Sequence, residues 1–325
     1  MVSVSPERPD ARIAFALRDP LPWPDVVEIV GTAEQTGYQA VFLPEIAGRE
    51  AFSTLAAIAA RTSTLRLGTG VVTTVSRTAA VTAMAAATVH DVSGGRMVLG
   101  IGTGPSGPGA LERLRAYVAD VRAILAGEPI DAARRGSPFR LTLPVERPLP
   151  IWVAALGPRA IALGAEIADG ILLNWCTPER VASARREIER AASAAGRDPR
   201  SVTIAVYVRA VVGQEPEHAL PPLRRFAGEY ASYPAYRRQF EAIGLGEEAR
   251  AAAEAVRADR PEDVPERLIG SVAVLGEPGQ AAARLAAYAE AGADVVVVYP
   301  VPVLEPVSSI MATLFGLAPR PSVEA

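Results

Sequence analysis

The sequence predicts an α/β chain folded as a closed (β/α)8 TIM barrel with a helical insertion after the seventh strand. Three observations carry this reading. Short β-rich runs alternate with Ala-rich helical stretches along the whole chain, and several of the runs, such as Val295-Val296-Val297-Val298, are apolar without interruption, as strands covered on both faces are. The 325 residues are 50% hydrophobic and 21% charged, enough for one large core. A doubly wound open sheet is the competing layout. The barrel reading takes residues 1–325 as a single domain.

The first unit is a strand over residues 12–17 and a helix over 23–36, stopped by Gly37. The second is 39–44 with a helix over 51–61, and the third is 65–72 with a helix over 79–92 that ends at Ser93-Gly94-Gly95. The fourth strand spans 97–101, followed by a Gly/Pro-rich loop over 102–109 and a helix over 110–125 whose Arg and Glu residues mark the wet face. Residues 127–150 break the rhythm and read as an excursion between units rather than a domain linker, because the pattern resumes at once. The fifth strand is 151–155 with a helix over 158–168, the sixth 170–173 with a helix over 178–195, and the seventh 203–212. A mostly helical insertion over 213–267, punctuated by Pro216, Pro221, Pro222, Pro234, Pro261 and Pro265, is too long for an ordinary connection and suits a lid. An extended piece at 271–275 and a helix over 278–291 precede the eighth strand, 294–299, and the closing helix, 307–317.

Composition removes several kinds of chemistry. The 33 basic residues, all Arg, are outweighed by 36 acidic ones, so no basic excess invites nucleic acid. Without lysine there is neither a Schiff base nor a phosphate-loop lysine. One cysteine, Cys176, and two histidines, His90 and His218, give no zinc or haem ligand set. His90 falls at the end of a helix remote from the expected active rim, and His218 falls in the insertion. The opening residues lack the apolar core of a signal peptide, and no run of 18 apolar residues follows, so the expected location is the cytoplasm.

In such a barrel the functional groups sit on the loops just after the strands. After the fourth strand, Gly102-Thr103-Gly104-Pro105-Ser106-Gly107 fits the G-x-G-x-x-G pattern. It lies in the wrong unit for a dinucleotide fingerprint and is interrupted by proline, so it reads better as a glycine rim against which a planar cofactor rests. After the fifth, Ala154-Ala155-Leu156-Gly157-Pro158 opens a helix whose free N–H groups suit an anion; an ordinary turn is the alternative. After the third come Thr69, Gly70, Val71 and Arg77, small residues with one candidate for an anionic partner. After the second, Pro44 is followed by Glu45, which reads either as the catalytic carboxylate or as a salt-bridge partner. After the sixth come Asn174 and Trp175, a cofactor contact or rim packing. No Ser/His/Asp or paired-carboxylate motif for hydrolysis is legible.

These segments resemble the luciferase-like flavin and deazaflavin monooxygenase superfamily, and within it the F420-dependent oxidoreductases. The resemblance rests on Leu67-Gly68-Thr69-Gly70-Val71, Ser93-Gly94-Gly95-Arg96, Leu99-Gly100-Ile101-Gly102-Thr103-Gly104, residues 151–158, and Ile167-Ala168-Asp169-Gly170 with Asn174. It implies the bacterial luciferase-like type of barrel, a bulge with a non-proline cis peptide at Gly70-Val71 beside the cofactor ring, and a phosphate site around residues 155–158 and 174–177, ending at Thr177. It further implies hydride transfer between F420 and a small or medium organic substrate, in a homodimer. The alternatives are a reduced-FMN monooxygenase served by a separate flavin reductase, and a flavin-binding protein without catalysis. A flavin or F420 reductase that supplies the reduced cofactor is the expected protein partner. One departure stands out: where the sugar-phosphate dehydrogenases of this family carry His and Glu, this chain has Ile46 and Pro105.

Overall fold

The computed structural model describes residues 11–18, 21–105, 107–130, 138–143 and 145–319. The opening residues read for a leader, Ser106 of the glycine loop and part of the 127–150 excursion lie outside them. Ten strands form: β1 (Arg12–Ala16), β2 (Ala40–Leu43), β3 (Arg66–Thr69), β4 (Val72–Thr73), β5 (Met97–Gly102), β6 (Ile151–Ala154), β7 (Gly170–Asn174), β8 (Thr203–Val212), β9 (Ala273–Gly276) and β10 (Val295–Pro300). Every pairing between them is parallel, and β10 pairs with both β1 and β8, which closes the barrel. Short β4 prolongs β3 after a break, and β9 pairs with the upper end of β8, so eight strand positions make the ring.

Helices α1 (Trp23–Gln35), α2 (Ala51–Ala59), α3 (Ala79–Val92), α4 (Ala110–Leu125), α5 (Pro158–Ile167) and α6 (Pro178–Ala194) follow the first six units. The insertion holds α7 (Pro216–Ala231), α8 (Pro234–Ala242), α9 (Gly246–Arg257) and α10 (Glu266–Val272), and α11 (Pro278–Glu290) and α12 (Pro306–Gly316) complete the ring. Its prolines mostly mark helix starts: Pro216 and Pro234 occupy the first turns of α7 and α8, and Pro265 precedes α10. Pro221 and Pro222 are the exceptions, lying inside α7. The extended piece expected at 271–275 begins two residues later, because Ser271 and Val272 finish α10.

Side chains fill the barrel rather than leaving a pore, with Phe42, Trp152, Tyr207 and Tyr299 as the bulky members among small Ala and Val. Phe42 stacks on Trp152 at 5.6 Å between centroids. Glycines on neighbouring strands make the room, since a Cβ on Gly68 would lie 2.2 Å from the Phe42 ring and one on Gly170 2.6 Å from Trp152. A second, larger core lies between strands and helices, and a third lies beneath the insertion against Trp175, Val211 and Val301.

The N-terminal end of the barrel is pinned by charge. The Asp169 and Asp294 carboxylates accept from the backbone N–H of Ile151 (2.8 Å) and Ile204 (2.7 Å) at the starts of neighbouring strands, and pair with Arg122 and Arg185. Arg96 donates to the carbonyls of Ala59, Thr62, Leu65 and Ser93, tying α2, the approach to β3 and the end of α3 together. His90 is buried at this end, and burial lowers its imidazole pKa. No helix among the described residues is long and apolar enough to cross a membrane.

Backbone proximity is tightest where β3 meets β5: a Cβ on Gly100 would stand 2.1 Å from the Thr69 carbonyl oxygen. Gly100→Ala therefore forces main chain apart and is expected to lose about 2–3 kcal/mol, the upper part of the range for overpacked core sites. Urea unfolding of the variant against wild type measures it.

Candidate active site

A cleft of about 2130 Å³ opens at the C-terminal ends of the strands, between the strand ends and α7, α8 and α10 of the insertion. Its floor begins at the β3–β4 break. Gly68 pairs with Val98 but Val72 pairs with Ile101, so four steps on one strand match three on the other and the extra residue bulges out. The Gly70–Val71 peptide within the bulge is cis, as the resemblance implied. The bulge is held at both ends of this peptide from the β2 side, by Gly70 N–H donating to Leu43 O at 2.7 Å and Glu45 N–H donating to Val71 O at 3.3 Å.

Glycine is required around it. A Cβ on Gly70 would lie 1.9 Å from the Tyr207 hydroxyl, and one on Gly102 would lie 2.7 Å from a Val71 methyl. Gly104 adopts φ +72°, a left-handed turn that brings the chain back over Thr73 and Val75. Gly70, Val71, Gly102, Thr103 and Gly104 thus form a surface of backbone and small side chains flanked by Pro44 and Ala154.

Across the cleft two helices begin. Gly157 is the N-cap of α5 and offers no side-chain cap, and Pro158 follows, so the first-turn N–H groups of Arg159 and Ala160 face the cleft with Leu156. Thr177 caps α6 through Arg180 N–H at 3.3 Å. The Arg180 guanidinium then joins the two helix starts, pairing with Glu187 at 2.8 Å and donating to Leu156 O at 3.2 Å.

Most of the expected site residues therefore meet at one cleft, and three stand behind its wall. The Thr69 hydroxyl is fully buried and occupied by Gly100, donating to its carbonyl and accepting from its N–H, both at 2.8 Å. Ala155 is buried with its N–H given to Leu172 O. Trp175 turns inward at φ +52° and stacks against the Arg209 guanidinium, 4.3 Å from carbon to ring centroid. Packing beneath the insertion explains this, because the indole forms part of that core.

Glu45 stands at the rim as an ion-pair partner. Arg77 reaches its two oxygens at 2.8 and 2.9 Å, Ala51 N–H donates to it at 3.2 Å, and Arg77 also pairs with Glu50. Both oxygens are committed, which suits a fixed rim better than proton transfer. Ile46 and Pro105 line the cleft nearby, so no His/Glu pair exists at those positions.

The sequence reading missed a second wall. Tyr207 and Arg209, on one face of β8, project inward with Tyr299 of β10. The buried Arg209 guanidinium lies 4.6 Å from the Tyr299 ring centre and 5.1 Å from that of Tyr230, and it donates to Asn174 Oδ1. Asn174 Nδ2 donates to the Tyr236 hydroxyl at 2.8 Å, while Gln239 Nε2 donates to the carbonyls of Asn174 (2.6 Å) and Trp175 (2.8 Å). These contacts fasten α7 and α8 to the strand ends. An arginine inside an otherwise apolar strand was the signal available in the sequence. Burial raises the Tyr299 phenol to about 12 and pushes Tyr207 and Tyr236 well above the usual phenol range.

Residues 8–295 match the model of the luciferase-like monooxygenase family. The chain belongs to that family. Over 189 residues it is 33% identical to a 5,10-methylenetetrahydromethanopterin reductase of Methanolobus tindarius, covering 54% of this chain and 57% of the reductase. Over 311 residues it is 28% identical to a Mycobacterium tuberculosis protein provisionally named a coenzyme F420-dependent oxidoreductase, covering 83% and 89%. The fold matches that of the F420-dependent tetrahydromethanopterin reductase of Methanopyrus kandleri with a TM-score of 0.80 at 20% identity, over 95% of this chain and 98% of the other.

The rim ion pairs and the contacts of the insertion can each be tested. Burial alone raises the Glu50 carboxyl, but the Ser53 and Phe52 hydrogen bonds and the Arg77 charge outweigh it and hold the pKa below 4.5. A depressed folded-state value stabilises above the unfolded pKa and is lost as pH falls. The melting-temperature advantage of wild type over Glu50→Gln should therefore be full at pH 7 and close as pH drops below 4.5. Gln239→Leu removes two buried bonds to the strand ends and should speed tryptic cleavage within residues 216–257 about tenfold, as losing roughly 1.4 kcal/mol of local stability does.

Proposed function

We propose that this chain transfers a hydride between the deazaflavin coenzyme F420 and a small or medium organic substrate. Support comes from the relative provisionally named a coenzyme F420-dependent oxidoreductase and from solved neighbours of the same fold that include an F420-dependent reductase and an F420-dependent secondary alcohol dehydrogenase. The observation that carries the reading is the floor of backbone and small side chains from Gly70-Val71 to Gly102-Thr103-Gly104, where a flat ring can lie close to main chain. Pro44 and Ala154 flank the ring, and Leu156, Gly157, Pro158, Asn174 and Thr177 take its phosphate at the two helix starts. Thr69, Ala155 and Trp175 support these contacts from behind. The bound coenzyme supplies hydride chemistry, and the chain supplies orientation and a shielded surface. In this reading Glu45 is a positioning group that holds Arg77 at the rim.

The reading includes a homodimer, supported by Val81, Met84 and Val92, which lie 43%, 40% and 56% exposed on α3. Fluorescence titration with F420 and, separately, with FMN tests the cofactor. Saturable F420 binding is expected, weakened at least about tenfold in Gly102→Val, whose branched side chain would occupy the floor. Tight FMN binding without F420 binding would sink the proposal.

A further inference from the structure

Tyr207 has no part in holding the fold by hydrogen bonding. Its hydroxyl is shielded from water and without any partner, although the residue lines the cleft and touches the Gly70 bulge. Leaving a buried hydroxyl unsatisfied is costly, and such a group calls for an explanation in what binds there. Two residues along the same strand face, Arg209 brings a buried positive charge with no ion-pair partner among the described residues. Arg209 Nε and Trp175 Nε1 are also unpartnered donors, against one unpartnered acceptor in this group, Gln239 Oε1. The chamber is therefore rich in donors and positive in potential.

We propose that the Tyr207 hydroxyl hydrogen-bonds to and then protonates the carbonyl oxygen of the substrate, so that the substrate class is a ketone or aldehyde and the product its alcohol. The assignment rests on the deazaflavin reading above. In the step, the carbonyl carbon gains a hydride from the reduced deazaflavin, the C=O π pair moves onto oxygen, and the Tyr207 O–H bond breaks to protonate that oxygen. The substrate is reduced by two electrons and the deazaflavin oxidised by two; the phenolate regains its proton from a solvent molecule that enters through the cleft into the place the alcohol vacates.

Charge decides between a carbonyl and an imine. A developing alkoxide and a transient phenolate are both stabilised by Arg209, whereas an iminium cation is repelled by it. The other ionisable groups facing Tyr207 are Tyr299 of β10, Tyr230 of α7 and Tyr236 of α8, with no carboxylate among them. Burial keeps the Tyr207 phenol protonated and ready to donate through the physiological range. Tyr230, Tyr233 and Tyr236 wall the same cleft, which favours a substrate with an apolar or aryl body.

Tyr207→Phe tests this, because the hydroxyl it removes makes no bond within the protein. Wild type and variant are compared for F420 affinity, for affinity of the F420-loaded protein for isobutyramide, an unreactive amide with a carbonyl oxygen, and for reduction of acetophenone, cyclohexanone and benzaldehyde by reduced F420. Expected are an unchanged F420 Kd, amide binding weaker by about tenfold for one lost hydrogen bond, and turnover lower by about a hundredfold or more for a lost general acid. The wild-type solvent deuterium isotope effect should vanish from the residual rate. Unchanged amide binding or turnover in the variant overturns the role of Tyr207. Wild-type reduction of the cyclic imine 1-pyrroline without any ketone or aldehyde reduction overturns the substrate class, as does inactivity on the whole carbonyl panel. Failure of wild type to bind F420 defeats the deazaflavin reading itself and this assignment with it.

Discussion

One extra residue in the third barrel position governs the site. Because β3 and β4 together carry one residue more than β5 opposite them, the chain buckles at Gly70-Val71, and the buckle has to be seated between β2 and β5. Seating it leaves no space for side chains at Gly70, Gly100 and Gly102, whose added Cβ atoms would strike Tyr207, the Thr69 carbonyl and Val71. Thr69 meanwhile bonds sideways to both polar groups of Gly100, locking the two strands together where their ladder is interrupted. The glycine floor, the tightness beneath it and the position of Tyr207 against it have one common cause.

Much of this architecture is legible in the amino-acid sequence. Continuous apolar runs such as 295–298 require cover on both faces, and glycine stops at Gly37 and Gly95 mark helix ends, so unit order and approximate bounds follow from local chemistry. The glycine floor was legible for the same reason, since only a close approach of backbone explains so many glycines at strand ends. Direction of burial was harder. Asn174 and Trp175 are adjacent in sequence, yet one reaches the cleft and the other is folded inward at positive φ into a core built by helices distant in the chain. Glu45 was likewise undecidable from its neighbours, because the guanidinium that claims it comes from Arg77, beyond the bulge. Tyr207 and Arg209 were overlooked as polar residues in a strand otherwise apolar, where the period of two places both on the inner face.

Arg209 ties the two halves of the cleft together. Its guanidinium is wrapped by Trp175 and Asn174 from the β7 end, Tyr299 from β10 and Tyr230 from α7, so the barrel that bears the glycine floor and the helices that cover it share one buried cation. Replacing its missing counter-charge with three aromatic faces keeps the cation desolvated without neutralising its field. The rim pair of Glu45 and Arg77 does the opposite, cancelling charge where the cleft opens to water.

The helical insertion leaves the barrel after β8 and returns through β9, and the far end of β9 lies beside the point of departure: Gly213 N–H donates to Gly276 O at 3.1 Å, beyond the parallel ladder between those strands. A segment anchored this way behaves as a cassette. Since closing a longer or shorter excursion between fixed neighbouring points changes the entropy only slowly with length, the roof over the cleft can be exchanged while the glycine floor stays in place. One scaffold can in this way be supplied with new specificities by grafting, and the natural cut points are Gly213 and Gly276.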